Sequence, residues 1–321
     1  MYSSTLPSMS IGVDIGGTTT RAGLVDRDGV VAALVSSRTV GGDIGVVDGT
    51  IALIDELMRE SSTRLDDISL IGVGIPGVVQ PESGTVRHAV NVGIGSDPID
   101  LRSLLAQRLG RPASLNNDVN VAALGAAREL HDQDPDVGRR GGIAYLGVGT
   151  GIAAAWVLDG KIWSGANGAA GEVGHISIDP NGPVCECGQR GCIEAISSGS
   201  AIAQSWPVEG GSPIEHLIAA AETGRGDAIE VWDSVVDGLA SAVYIVMMSI
   251  DPHVVVLGGG IANHGDRVVP AVAAALRKRA VGSRLLTSLN MPERLRHVRH
   301  PDRVGVVGAV IAASTAETPC S

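Results

Sequence analysis

The sequence contains no phenylalanine, and its only aromatic residues are four tryptophans and three tyrosines. The core must therefore come mainly from Val, Ile, Leu and Ala, and the 44 glycines indicate many tight turns. The formal net charge is −11, which repels phosphate backbones, and so few aromatic rings leave little surface on which bases could stack. These features argue against a general nucleic-acid-binding protein.

Long hydrophobic runs are also missing, since no stretch reaches the roughly 18 consecutive apolar residues of a membrane span. The ten-residue run at 241–250 ends at Asp251 and predicts a buried helix. The N-terminal residues lack the basic and apolar segments of a secretory signal, so we expect a cytoplasmic protein with no membrane partner. Cys320 stands apart from the other three cysteines, and we expect it to take no part in their site.

Each half of the chain opens with the same layout: an apolar strand, a turn of Gly and Thr, a second strand and an Asp-Gly turn. The layout spans 13–29 in the first half and 146–160 in the second. An internal duplication and two unrelated hairpins explain it equally well. Helical spacing at 46–58 and 227–250 adds α-helices between the strands. The pattern predicts two α/β lobes with a cleft between them.

The first Gly-Thr turn follows Asp14, in the segment DIGGTT. Glycines at a turn let backbone N–H groups point at an anion, and threonine hydroxyls add further donors. A carboxylate at the end of the preceding strand suits Mg²⁺. Gly149, Thr150 and Gly151 form the matching turn of the second half. Taken alone, a glycine-rich hairpin is a weak signal, but two such turns predict a clamp for phosphate groups.

Asp118 lies between a short predicted strand and an apolar helix, in the segment LNNDVN. An N-cap is the commoner role for an aspartate at this place. The alternative is a general base, because the positive end of a helix favours the charged form of a carboxylate. The neighbouring asparagine side chains offer both a donor and an acceptor to sugar hydroxyls.

The strongest motif is His175 followed by Cys185, Cys187 and Cys192, a C-x-C-x4-C loop with one histidine ten residues upstream. Four N and S ligands match a closed tetrahedral Cys₃His zinc site, which is structural. Three buried free thiols are the alternative, and their crowding with Gly and Pro disfavours it. Such a site would order the nearby carboxylates of Glu172 and Glu194, which would otherwise be ordinary surface acids.

A second glycine cluster ends the apolar run at 254–257. Its three members permit close approach of a flat ligand such as adenine, or a tight connection from strand to helix. They are Gly258, Gly259 and Gly260.

Together, these motifs closely resemble the ROK sugar kinases, which share the two-lobed actin-like ATPase (ribonuclease H-like) fold. The resemblance runs from about residue 11 to about residue 313, and its most specific part pairs GEVGH with the cysteine loop CECGQRGC. It implies an α/β fold of duplicated mixed-sheet lobes with a central cleft. The implied N-terminal lobe is 10–115 plus 303–316, and the C-terminal lobe is 116–302 with a zinc loop at 175–194.

The resemblance also implies roles for individual residues. Asp118 would be the catalytic base. The implied sugar contacts are Gly77, Asn91, Asn117, Asp118, Glu172, His175 and Glu194. The implied contacts of ATP and Mg²⁺ are Asp14, Gly16, Gly17, Thr18, Thr19, Gly149, Thr150, Gly151, Gly258, Gly259 and Gly260. The implied ligands of a structural Zn²⁺ are His175, Cys185, Cys187 and Cys192.

The implied activity is ATP-dependent phosphorylation of a hexose at its 6-hydroxyl, as in a glucokinase. Family glucokinases often carry a Trp shortly after the residue matching Asn91, and this chain has none there, so N-acetylmannosamine, mannose, fructose and allose stay open. Polyphosphate is a less favoured donor, because no basic patch is evident. The sugar-responsive repressors of the family need a DNA-binding domain before the Asp14 motif, where only 13 residues stand. The resemblance further implies a homodimer or homotetramer.

Overall fold

The computed structural model describes residues 6–137 and 141–316, which form two compact units. Cys320 lies outside the described residues. Within them, the first unit holds 6–135, 159–170 and 302–316, and the second holds 136–137, 141–158 and 171–301.

The first unit combines a five-stranded sheet, a small sheet and four helices. Its elements, in chain order, are β1 (Met9–Ile15), β2 (Thr19–Asp26), β3 (Val31–Arg38), α1 (Asp43–Ser61), β4 (Leu70–Ile75), β5 (Val78–Gln80), β6 (Thr85–Arg87), β7 (Ile99–Asp100), α2 (Leu101–Leu109), β8 (Ser114–Asn117), α3 (Asp118–Gln133), β11 (Lys161–Ile162) and α10 (Val304–Ala316).

The described part of the second unit combines its own sheet with six helices. Its elements are β9 (Ile143–Val148), β10 (Ile152–Leu158), α4 (Ile193–Ser197), α5 (Gly199–Ser205), α6 (Pro213–Glu222), α7 (Gly226–Ile250), β12 (Val254–Gly258), α8 (Gly265–Ala280), α9 (Arg284–Leu289) and β13 (Leu295–His297).

The two main sheets repeat one topology. The first has the order β3-β2-β1-β4-β8, in which β1 pairs antiparallel with β2 and parallel with β4, and β4 pairs parallel with β8. In the second unit, the order β10-β9-β12-β13 repeats the β2-β1-β4-β8 part with the same strand directions. The shared order supports the internal duplication, which the two sequence layouts alone left open.

The apolar runs of the sequence become buried strands. All six residues of β4 are buried, as the continuous run predicts. One face of the first sheet packs on α1 and α2, with fully buried Ile11, Leu53 and Leu57. Burying each such side chain contributes roughly 1.5–3 kcal/mol.

The opposite face of the first sheet is covered by α10, which also packs along α3. The two helices approach backbone to backbone, since a Cβ on Gly308 would lie 1.6 Å from the carbonyl oxygen of Val121. This contact explains why α3 belongs to the first unit, whereas the lobes implied by resemblance divide at 115/116. Residues 159–170 are the second difference, because they too group with the first unit.

Helix α7 is the long helix that the sequence predicts, and it runs through the second unit. By length and composition alone it could cross a membrane. Half of its most apolar window is buried inside the unit, where Leu239 and Val243 have no exposed surface. This burial is typical of the core helix of a globular unit, the role that the sequence favours for the run at 241–250.

The small antiparallel sheet β5-β6-β7 has no counterpart in the sequence prediction. Its strands are only two or three residues long, so they show no alternation from which a strand could be recognised.

Candidate active site and metal centre

The first Gly-Thr turn joins β1 to β2 and is tethered by Thr39, which follows β3. The hydroxyl of Thr39 donates to the carbonyl oxygen of Gly16 at 2.7 Å, and its amide donates to that of Thr18 at 3.0 Å. The amide of Gly16 donates across the turn to the oxygen of Thr19. In the described part of the chain, the N–H groups of Gly17 and Thr18 have no acceptor. These N–H groups therefore fit the hydrogen-bond donors to phosphate that the sequence predicts.

Asp14 lies near the end of β1, directly opposite Arg21 on β2. Burial raises the pKa of Asp14 to about 6, and the Arg21 guanidinium acts in the opposite direction. A cation at this carboxylate would favour its charged form. Asp14 and the turn therefore fit Mg²⁺ together with a phosphate group.

Asp118 is the first residue of α3, but it is not the cap of the helix. Asn117 is the N-cap, and its Oδ1 accepts the N–H groups of Val119 at 3.0 Å and Asn120 at 3.2 Å. The carboxylate of Asp118 accepts the N–H of Val119 at 2.9 Å. Because Asn117 already caps the helix, Asp118 does not have the N-cap role, which is the commoner one for an aspartate at this place.

The amide of Asn117 also reaches Gly77, donating to its carbonyl oxygen at 3.1 Å. One N–H of that amide remains for a substrate. Asn91 is exposed in a single helical turn whose neighbours Ala89, Val92 and Ile94 are buried. Gly77, Asn91, Asn117 and Asp118 all belong to the first unit.

The GEVGH segment, residues 171–175, packs against β10 of the second unit. A Cβ on Gly171 would lie 1.8 Å from the carbonyl oxygen of Ala154, and one on Gly174 would lie 2.1 Å from that of Ile152. Gly171 also has a φ of +108°, which L residues with side chains rarely adopt. The two glycines therefore set the position of His175 against the strand.

Glu194 connects the cysteine loop to the second Gly-Thr turn. It lies on α4, two residues after Cys192, and its Oε2 accepts the N–H of Ile152 at 2.7 Å. The turn itself is closed by the amide of Gly149, which donates to the oxygen of Gly151. The amides of Gly199 and Ser200, at the start of α5, donate to the oxygens of Gly149 and Thr150. The turn is therefore held from two sides.

Two carboxylates flank the imidazole of His175. Its Nδ1 lies 3.8 Å from Oε1 of Glu194, and its Nε2 lies 3.8 Å from Oε2 of Glu172. Partial burial raises the pKa of Glu172; the nearby His175 opposes this rise, and the Glu194 carboxylate adds to it. The structure thus brings together the three sugar contacts predicted in this unit.

His175, Cys185, Cys187 and Cys192 also come together, with their ligand atoms all within 4.8 Å of one another. Nδ1 of His175 is 3.7 Å from Sγ of Cys185, and the Sγ atoms of Cys187 and Cys192 are 3.6 Å apart. Zn–S bonds of about 2.3 Å place two tetrahedral sulfurs about 3.8 Å apart. The donor set and its spacing therefore fit a zinc ion.

Gln189 supports this cluster, although its sequence position gave no sign of it. Its amide donates to Sγ of Cys187 at 3.4 Å and to the backbone oxygen of His175 at 3.1 Å. Hydrogen bonds from Gln189 lower the pKa of Cys187 to about 6, whereas burial raises the pKa of Cys192 to about 12. A divalent cation would favour the thiolate form of all three cysteines.

Gly258, the last residue of β12, and Gly259 after it have structural roles that the sequence did not show. A Cβ on Gly258 would lie 2.0 Å from the hydroxyl oxygen of Tyr145, and this hydroxyl accepts the N–H of Gly259 at 2.9 Å. Only Gly260 has open space where its side chain would be. The close approach at Gly258 is therefore to the tyrosine of β9, and a Cβ on Gly259 would lie 2.6 Å from the backbone oxygen of Val148. The adenosine contact of Gly258, Gly259 and Gly260 stays a prediction.

Comparison with known proteins identifies the family of this chain. The ROK family model matches residues 10–316. A glucokinase of Thermotoga maritima is 36% identical over 277 residues, which cover 80% of this chain and 83% of the relative. An N-acetyl-D-glucosamine kinase of Pectobacterium atrosepticum is 30% identical over 317 residues, covering 94% and 98%.

Among solved structures, a ROK family glucokinase from Streptomyces griseus in complex with glucose and AMPPNP is similar with a TM-score of 0.80. It is 26% identical, and the match covers 96% of this chain and 100% of that chain. The fold and the family predicted from the motifs are thus confirmed. The chain belongs to the ROK family and has its actin-like ATPase fold.

Proposed function

We propose that this protein transfers a phosphoryl group from Mg-ATP to the 6-hydroxyl of a hexose, as a glucokinase does, with Asp118 as the general base. The chain is a sugar kinase of the ROK family. Support for a hexose and a nucleotide comes from the Thermotoga maritima glucokinase and from the glucose and AMPPNP of the Streptomyces griseus structure.

The observation that carries the proposal is the N-terminus of α3. Asn117 caps the helix with its side chain, and Asp118 follows with a carboxylate in the first turn. The helix field favours a negative charge at this place. A charged carboxylate can orient a substrate hydroxyl and accept its proton as the bond to phosphorus forms. Phosphoryl transfer passes through a loose transition state, so positioning matters more than a strong base.

The proposed contacts of the donor are those that the motifs indicate. Asp14 with Gly16, Gly17, Thr18 and Thr19 would hold Mg²⁺ and phosphate oxygens in the first unit. Gly149, Thr150 and Gly151 would hold phosphate oxygens in the second, with Gly258, Gly259 and Gly260 toward the adenosine. When bound, Mg²⁺ neutralises charge on the phosphate groups.

The sugar would be recognised by hydrogen-bonding groups that the hydrogen bonds described above do not use. Asn117 keeps one amide N–H, and Oε1 of Glu194 is not the atom bound to Ile152. Zn²⁺ at the cysteine loop would fix the ring of His175, whose Nε2 faces Glu172. These groups provide donors and acceptors for several sugar hydroxyls.

Other hexoses are alternative substrates, because one hydroxyl or acetyl difference is decided by a few side chains. N-acetylmannosamine, mannose, fructose and allose are the alternatives, and a sugar-sensing regulator without kinase activity is the alternative of another class. We further propose a cytoplasmic homodimer or homotetramer.

The proposal is tested by ADP release with Mg-ATP across glucose, mannose, N-acetylmannosamine, N-acetylglucosamine, fructose and allose. The variant Asp118→Asn serves as the blank for each sugar. Glucose clearly above its blank supports the proposal, and another sugar above its blank replaces glucose as the substrate. Folded, zinc-loaded protein that turns over none of the six would contradict it and favour the regulator.

A further inference from the structure

An open groove beside the first Gly-Thr turn is lined by 17–19 and 36–39. Its volume is about 540 Å³, where sites for small molecules measure roughly 300–1,000 Å³. The lining residues are three threonines, two serines, a glycine and Arg38, with no acidic residue among them. This composition suits an anion.

The sheet register explains how Arg38 comes to this place. β2 and β3 run antiparallel, with Thr19 opposite Arg38 and Arg21 opposite Ser36. Arg21 is in turn opposite Asp14 on β1. Directly opposed residues share a face of a sheet, as do alternate residues of one strand. Arg38 therefore projects from the same face as Asp14, at the end of β3 next to the turn.

Arg38 has no side-chain partner among the described residues, in contrast to three other arginines of the first unit. Arg64, Arg108 and Arg128 each pair with an aspartate. The Arg38 side chain is exposed and makes no hydrogen bond or ion pair with any described residue. A solvent-exposed guanidinium without a carboxylate partner is available for a planar, two-point contact with phosphate oxygens.

The charge of the neighbourhood supplies the reason for such a contact. The first turn offers backbone N–H groups and hydroxyls, which are neutral donors. Asp14 adds a negative charge whenever it is ionised, and Arg21 opposite it adds a positive charge. A phosphate chain placed there brings several further negative charges. A fixed cation beside the turn lowers the electrostatic cost of binding it.

We propose that Arg38 binds a phosphate group of the donor, so that β3 extends the phosphate site of the first Gly-Thr turn. Ser36 and Ser37 line the same groove. The inference rests on the proposed function and deepens it, because it adds a donor-binding residue to a strand that the motifs did not mark.

The test compares Arg38→Ala with Arg27→Ala by calorimetric titration of the full-length protein. Arg27 is also exposed and without a described partner, but it follows the other end of β2, away from the turn. Each protein is titrated with Mg-ATP and, separately, with inorganic tripolyphosphate, which has no adenosine. We expect Arg38→Ala to weaken both ligands by about tenfold or more, and Arg27→Ala to change neither by more than about twofold.

Two further measurements separate a phosphate contact from a general effect of charge or folding. Arg38→Lys keeps the charge but loses the two-point geometry, so we expect its affinity to lie between those of Arg38→Ala and the wild type. The KM for the sugar should stay within about twofold in all variants, because the contact is to the donor.

Equal affinity of the wild type and Arg38→Ala for both ligands would overturn the inference and leave the proposed kinase activity intact. Equal losses in the two alanine variants would also overturn it, since they would reflect net charge alone. Wild-type protein that binds neither ligand would instead contradict the proposed function, and the inference with it.

Discussion

Glu194 accepts the backbone N–H of Ile152 through Oε2 at a distance of 2.7 Å. Glu194 stands two residues after the last cysteine of the metal cluster, and Ile152 directly follows the second Gly-Thr turn. One carboxylate thus links the predicted zinc loop to the predicted phosphate turn. Its other oxygen lies 3.8 Å from the imidazole of His175.

Replacing Glu194 with alanine should therefore weaken nucleotide binding even without sugar. The N–H of Ile152 loses its acceptor, so the turn should become less ordered, and a several-fold rise in the Kd for Mg-ATP is expected. Glu194→Gln is the matched control, because its amide oxygen can still accept this N–H. Hydrogen exchange at Ile152, faster in the alanine variant and unchanged in the glutamine variant, checks the cause. Unchanged ATP affinity in Glu194→Ala would contradict this role.

Asp118→Asn should retain sugar affinity and lose turnover. The amide has nearly the same shape as the carboxylate but cannot accept the hydroxyl proton, and loss of a general base costs roughly 10²–10⁴-fold in rate. Calorimetry with the sugar and steady-state kinetics provide the two readouts. Asp132→Asn, near the far end of α3, is the control and should behave as the wild type. A kcat near that of the wild type in Asp118→Asn would remove Asp118 from the base role.

The metal cluster should contain about one zinc per chain by elemental analysis. Cys192→Ser should lose the metal and lower the temperature of unfolding, because the loop then lacks one of its four ligands. Cys320→Ser changes a cysteine outside the motif and should keep both the metal and the stability. Zinc-free protein with full activity and an unchanged unfolding temperature would exclude a zinc site.

Thr39→Val should weaken Mg-ATP binding by roughly fivefold, the effect of losing one neutral hydrogen bond. The substitution keeps the shape of the side chain but removes the donor to the oxygen of Gly16. Thr39→Ser keeps that donor and should restore affinity. Titration with Mg-ATP measures the effect, and equal binding by the valine and serine variants would show that the tether does not matter for the donor.

The sequence was sufficient for features that depend on neighbours along the chain. The strands around the first turn, the helix at 227–250 and the metal cluster all follow from local pattern and spacing. Thr39 was missed because it reaches Gly16 across 23 residues, and no local pattern marks such a contact. The structural reason for Gly258 was missed for the same cause, since its neighbour Tyr145 is distant in sequence.

The sheet against which α3 packs could likewise not be predicted from the local sequence pattern. Its apolar residues predict a helix, but not which sheet the helix joins. That choice depends on α10, which starts at Val304 and packs along both α3 and the first sheet.

This position of α10 has a consequence for synthesis of the protein on the ribosome. Strands β2 and β4 emerge early, yet the helix that covers Val25 and Leu70 is translated more than 200 residues after them. The first unit therefore cannot complete its fold cotranslationally while the second is being made. Its apolar sheet face must stay exposed, or be shielded by a chaperone, until α10 has been synthesised.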